Sequence, residues 1–169
     1  MQWPDLSPVF GSTLWAVVGA AATRLYMPER ATQDLGVAIA VQDADSAYAS
    51  LQRAGFQFVG KFSIGSKSWR TACGDVVDVI EGAEEWWPLA LAAAQNNRDG
   101  QGLPVLPLAY LVLMKFNAGR TRDLGDITQM LGLADEKSLD EVRRVFIKYA
   151  PEDQVDLESL ILLGRLEME

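Results

Sequence analysis

Apolar residues fall in short runs over the first half of the chain and in helix-spaced stripes over the second. Leu14-Trp15-Ala16-Val17-Val18 is an unbroken apolar run ending at Gly19, the pattern of a buried strand. Ala20 to Met27 suits a helix and stops at Pro28, whose ring cannot continue one. Leu35 to Val41 is apolar with β-branched residues and predicts a second strand. Asp43-Ala44-Asp45-Ser46 then offers cap oxygens for a helix from Ala47 to Ala54, closed by Gly55. After Gly55 the texture changes. Phe56–Gly60, Lys61–Ser68, Trp69–Cys73 and Val76–Ile80 are short aromatic or β-branched segments separated by Gly, a meander of strands rather than a βαβ series. Glu81 to Gln95 reads as a helix around Trp86-Trp87-Pro88, Asn96 to Gly100 as a polar turn, and Leu103 to Leu106 as one more strand.

From Pro107 onward the pattern is helical. Pro107 stands at the start of a strongly apolar helix over Leu108 to Phe116, and Asn117-Ala118-Gly119-Arg120 interrupts it. Thr121 caps a second helix running to Leu131-Gly132, and Asp135 and Ser138 cap a third over Leu139 to Tyr149. Pro151 breaks the pattern before a last helix from Gln154 to Leu166, and a short first helix begins at Pro8 with Asp5 or Ser7 as cap. No repeat and no long linker divides the chain. The expected fold class is α+β: a single domain over 1–169, with an α/β core over 1–106 and a helical C-terminal subdomain over 107–169.

Composition narrows the chemistry. The 169 residues, 49% of them apolar, suffice for a sizeable core. A net charge of -8, from 23 acidic and 15 basic residues, argues against broad binding to nucleic-acid backbone but leaves room for a nucleotide whose phosphates a metal neutralises. The absence of histidine removes imidazole bases, Ser-His and Cys-His pairs and every His-containing metal site. The lone Cys73 allows no internal disulfide, suits a reducing compartment, and reads as a small core residue. The first residues lack the charged-then-apolar pattern of a secretory signal, and the run Leu103 to Met114 is broken by Pro104 and Pro107. A cytoplasmic protein with no membrane partner is the expectation.

Three places carry candidate chemistry. Gly19, between a strand and a helix, lets helix N–H groups approach a phosphate, although a tight turn needs the same residue. Asp34 opens one strand and Asp75 and Asp78 flank the start of another; on neighbouring strands, two of these carboxylates would converge and hold a hard cation. Asp78 stands inside Val76-Val77-Asp78-Val79-Ile80, where a charge is costly unless paired, solvated or metal-bound, whereas Asp75 after Gly74 suits a turn. Lys115 ends an apolar helix, so its ammonium needs a specific destination. Asp123 and Asp126 share a helical face, and an ordinary capped helix with an Arg122–Asp126 surface pair explains them equally well. Trp86 and Trp87 form either an interface or a core wall.

Taken together these segments resemble the nucleotidyltransferase superfamily, and within it the small bacterial AbiEii type. Val18-Gly19-Ala20-Ala21 resembles the strand ending in Gly-Gly or Gly-Ser, with Ala20 in the second place. Arg30-Ala31-Thr32-Gln33-Asp34-Leu35-Gly36 resembles Arg-x-Thr-x-Asp-apolar-Asp, with Gly36 where the second Asp would stand. Asp78 takes the place of a third carboxylate, and Lys115, Arg120, Asp123 and Asp126 resemble the motif of the helical part. The resemblance implies a mixed sheet flanked by helices, with Asp34 and Asp78 as catalytic, Mg²⁺-binding residues. It gives Gly19, Ala20, Arg30, Thr32, Lys115, Arg120, Asp123 and Asp126 to a nucleoside triphosphate. Two functions stay open under it. One is a degenerate member with an incomplete carboxylate set, binding a nucleotide or a protein partner. The other is an active enzyme moving NMP from NTP to a hydroxyl, as a toxin–antitoxin component among other roles, with Asp75 or water replacing the ligand lost at Gly36. An unrelated α+β interaction domain is the third reading.

Overall fold

Short apolar runs become strands here because each can bury a face against a neighbour, and the glycines between them set where the runs stop. In the computed structural model, residues 2–28, 31–61 and 65–168 are described. The chain divides into two compact units, Met1–Ala22 with Arg30–Leu106 and Thr23–Glu29 with Pro107–Glu169. In chain order the first unit holds α1 (Ser7–Phe10), β1 (Trp15–Val18), the start of α2 (Gly19–Thr23), β2 (Asp34–Ala40), α3 (Ala44–Arg53), β3 (Gln57–Lys61), β4 (Ser66–Arg70), β5 (Val76–Gly82) and α4 (Trp87–Ala94). The five strands form one mixed sheet in the order β1-β2-β5-β4-β3. Only β2 and β5 are parallel; every other pair is antiparallel.

Strand alternation gives this sheet two unlike faces. Leu35, Val37, Ile39, Trp69, Val77 and Val79 are buried on one, where Tyr48 of α3 stacks on Trp69 with ring centroids 5.6 Å apart. The other face is closed at one end by α4. The Trp87 indole donates from Nε1 to the Ile39 carbonyl at 2.8 Å, and it lies so close to Gly82 that a Cβ there would sit 1.9 Å from the ring. Asp34, Gly36 and Asp78 stand further along that face.

Several boundaries differ from expectation. The helix after Gly19 covers only Gly19–Thr23, because the Thr23 carbonyl accepts from the N–H groups of Tyr26 and Met27 in a closing turn. Trp69 and Arg70 finish the strand that begins at Ser66, and 71–75 is a turn in which Thr71 N–H donates to the Asp75 carbonyl. Cys73 lies exposed on that turn and is not a core residue; Gly74 beside it has φ +97°, which turns the chain outward. Glu81 and Gly82 extend β5, and α4 starts only at Trp87, with Pro88 in its first turn. Leu103–Leu106 makes two isolated bridges, a parallel one from Val105 to Val17 and an antiparallel one from Pro104 to Arg98, rather than a full strand. The Val17 N–H donates to Pro104 at 2.7 Å and the Val17 carbonyl accepts from Leu106 at 3.0 Å, which covers the open edge of β1.

The second unit is built from α5 (Leu108–Ala118), α6 (Thr121–Leu133), α7 (Glu136–Tyr149) and α8 (Gln154–Glu167). α5 ends at Gly119, left-handed at φ 63°. Thr121 is the first residue of α6 rather than its cap, and Arg120 stands before it. Asp135 does cap α7, accepting from the Ser138 N–H at 2.7 Å. α6 and α8 meet backbone to backbone: a Cβ on Gly132 would lie 2.3 Å from the Gly164 carbonyl oxygen. Among the described residues no helix is long and apolar enough to cross a membrane.

Candidate functional site

The parallel register of β2 and β5 decides what the first unit can do. Asp34 pairs with Val76 and Gly36 with Asp78, while on the outer side Val18 pairs with Gly36 and on the inner side Ser68 pairs with Asp78. One row therefore crosses the sheet through Val18, Gly36, Asp78, Ser68 and Gly60. Asp34, two residues before Gly36, projects from the same face and shares a hydrogen bond with Asp78. The two strands expected to carry carboxylates are neighbours, and their carboxylates meet.

The electrostatics follow from that placement. Asp78 is half-buried, and burial pushes its carboxyl above the ordinary aspartate value. The Ser68 hydroxyl, donating to Asp78 Oδ1, pulls the other way, and the charge and hydrogen bond of Asp34 push upward again. Asp34 itself is exposed, with the Thr32 hydroxyl 3.4 Å from its Oδ1. Asp75 stands apart on the 71–75 turn, exposed and within 3.4 Å of the Thr71 hydroxyl. Gly36 is closely packed: a Cβ there would lie 3.2 Å from the Val18 carbonyl oxygen and 3.5 Å from Val18 Cγ2. Gly19, with φ +66° and nothing within 4 Å of an added Cβ, follows β1, and both it and Ala20 are half-exposed. Arg30 lies outside the described residues.

Among the described residues no group of three or more acidic or Cys side chains is placed to hold a metal. The donor set is a pair of carboxylates on an open face. Two oxygens of this kind fit Mg²⁺, which is commonly held by one or two carboxylates together with substrate phosphates.

In the second unit Lys115 is buried at 4% exposure, and its ammonium reaches Asp123 Oδ1 at 2.9 Å and Asp126 Oδ2 at 2.7 Å. Arg120, 55% exposed, donates to Asp123 Oδ2 at 2.6 Å. Burial acts to raise the Asp123 carboxyl, but the hydrogen bonds and charges of Lys115 and Arg120 outweigh it and hold it below the usual range. The destination Lys115 requires is thus this carboxylate pair, and Asp126 is engaged by Lys115 inside the helix bundle. Ser68 had no signal in the sequence. It is one of several serines in a polar stretch, and only the register of β4 on β5 brings it to Asp78.

No protein-family model matches the chain, and no curated protein does. Among solved structures, the crystal structure of ANT(2'')-Ia in complex with adenylyl-2''-tobramycin is similar at 14% identity, covering 93% of this chain and 90% of that one with a TM-score of 0.48. The solution structure of the antibiotic-resistance factor ANT(2'')-Ia is similar at 13% identity, over 92% and 84%, with a TM-score of 0.46. A cytoplasmic RNA terminal U-transferase is similar at 14% identity over 75% of this chain and 33% of its own, with a TM-score of 0.34. The chain's own architecture is α+β, a five-stranded mixed sheet with helices beside it.

Proposed function

We propose that this chain is a degenerate nucleotidyltransferase-like protein of the AbiEii type, which binds a nucleoside triphosphate with Mg²⁺ at Asp34 and Asp78 and has lost most of its capacity for transfer. The observation that carries this reading is the row Val18–Gly36–Asp78 with Asp34 beside it: two carboxylates stand diagonally on adjacent strands, next to a position that has no side chain. Asp34 and Asp78 would hold the cation, and when bound it would neutralise phosphate charge. Thr32 braces Asp34, and the open turn at Gly19 and Ala20 leaves backbone free to approach a phosphate. Phosphoryl chemistry depends on preorganised charge, so a set lacking one carboxylate is expected to lose on the order of 10²-fold or more in rate. In the helical unit the resemblance gives phosphate-facing parts to Lys115 and Arg120. Lys115 already serves two carboxylates, while Arg120 is more than half exposed. A single cysteine suits the cytoplasm, where we place the protein.

The survival of both Asp34 and Asp78 as a neighbouring pair also favours a second reading, an active transferase passing NMP to a hydroxyl acceptor. One set of measurements separates the two. Calorimetric titration with ATP, CTP, GTP and UTP should show Mg²⁺-dependent binding of at least one, abolished by Asp34→Ala and by Asp78→Ala, with no transfer of labelled NMP above background. Sustained transfer would establish the second reading, and Mg²⁺-dependent binding of none of the four would sink both.

A further inference from the structure

We propose that Ser68 is a positioning residue for this carboxylate site, fixing the Asp78 carboxyl in the orientation in which it meets a divalent cation beside Asp34. The inference rests on the reading of Asp34 and Asp78 as cation ligands and adds to it a residue that no motif contains.

Asp78 has a different neighbour on each side of its strand. On the β2 side stands Gly36, which carries no side chain, and on the β4 side stands Ser68. The remaining members of the row, Val18 and Gly60, have no polar side-chain atom. Ser68 is therefore the residue of the row able to hold the carboxyl by a hydrogen bond. It does so: its hydroxyl donates to Asp78 Oδ1. Ser68 is also buried, at 1% exposure, so losing its acceptor would leave a buried polar group unsatisfied. One oxygen of Asp78 is thus engaged from the β4 side, which fixes the carboxyl and leaves its other oxygen for a cation shared with Asp34. A ligand braced in this manner loses less rotamer freedom when it binds. Removing an outer partner of a metal ligand typically weakens metal binding 10- to 100-fold.

The test uses the full chain and Mn²⁺, whose free concentration is counted by electron paramagnetic resonance. Wild type should bind Mn²⁺ at a site that Asp78→Ala abolishes. Ser68→Ala should weaken that site by about 10- to 100-fold, with a melting temperature close to wild type. Ser68→Thr keeps the hydroxyl and should recover most of the affinity. Ser66→Ala removes a serine of similar burial two residues along the strand, opposite Ile80, and should leave Mn²⁺ binding unchanged. If wild type binds Mn²⁺ through Asp78 and Ser68→Ala binds it equally well, the positioning role is overturned while the carboxylate reading stands. If Ser66→Ala weakens binding as much as Ser68→Ala, a general loss of strand packing is the cause and the proposal fails. If wild type binds no Mn²⁺, the carboxylate reading falls and Ser68 with it.

Discussion

Replacing Gly36 separates what its missing side chain does sterically from what it does electrostatically. A Cβ at this position meets the Val18 carbonyl oxygen at 3.2 Å and the Val18 carbonyl carbon at 3.5 Å, so β1 must yield by a few tenths of an ångström. Crowding of this kind costs about 1–3 kcal/mol, while removing a strand glycine returns about 0.5–1 kcal/mol of chain entropy. Gly36→Ala should therefore lose about 0–2.5 kcal/mol. Gly36→Asp carries the same Cβ and adds a carboxylate directly opposite Asp78, close to Asp34. At contact distance that repulsion is worth at least about 1 kcal/mol. Without cation the stability order should be Gly, then Ala, then Asp. With Mn²⁺ the order of the two variants should reverse. A cation at 100 times its dissociation constant contributes about 2.7 kcal/mol, and a chain of this length gains about 2–4 °C per kcal/mol, so Gly36→Asp should rise by about 5–10 °C. Thermal melts of the three proteins with and without Mn²⁺ measure this directly. Equal Mn²⁺-induced shifts for Gly36→Ala and Gly36→Asp would refute the idea that this row is a cation site missing one ligand.

Other perturbations test the rest of the account. A Cβ on Gly164 would lie 2.2 Å from the Thr128 carbonyl oxygen, so Gly164→Ala must push α8 off α6 and should cost about 3 kcal/mol or more in urea unfolding. The matched change Gly125→Ala, with nothing within 4 Å, should instead gain about 0.5–1 kcal/mol. Lys115→Met removes the buried ammonium shared by Asp123 and Asp126, leaving Asp123 with Arg120 as its cation, and should cost about 3–5 kcal/mol at pH 7 in urea unfolding. The depressed Asp123 carboxyl adds a pH dependence in wild type. Its contribution is present above the ordinary value of 3.8 and is lost as pH falls through the lower folded value, so Asp123→Asn should flatten the acid limb of the stability profile. For Asp78 the sign is opposite, because a folded-state carboxyl raised above 3.8 costs stability as pH climbs past that value. In cation-free buffer Asp78→Asn should be more stable than wild type at pH 7 and no more stable at pH 3.5; a less stable variant at pH 7 would show that burial and Asp34 do not oppose ionisation.

Much of this was written locally. The runs around Val17 and Val37 read as strands because burial on both faces demands unbroken apolar residues, and Asp135 read as a cap because its side chain needs only the next turn. Lys115 in an apolar helix announced that its ammonium had a destination, and the carboxyl of Asp78 in an apolar strand announced a cost. What each met was not local. Asp123 and Asp126 reach Lys115 across the bend after Gly119, and Asp34 reaches Asp78 only because β2 and β5 are parallel and adjacent. Cys73 is exposed, against expectation, for the same reason. Its neighbours in sequence suggested a strand, whereas Gly74 turns the chain outward just beyond it. The helix after Gly19 was overextended because alanines favour helix wherever they stand, while the turn that closes it depends on the Thr23 carbonyl.

That turn at Cys73 also makes the molecule convenient to interrogate. Its thiol is the sole one in the sequence and is exposed between β4 and β5, the strands that bear Ser68 and Asp78. A maleimide-linked spin label or fluorophore would attach at one defined point, with no other cysteine to mutate away. Asp78 lies five positions further along, a span of about 17 Å at most even for a fully extended chain. A paramagnetic ion arriving beside Asp78 would broaden or quench such a label. The chain thus carries its own attachment point for watching occupancy of the carboxylate pair in solution.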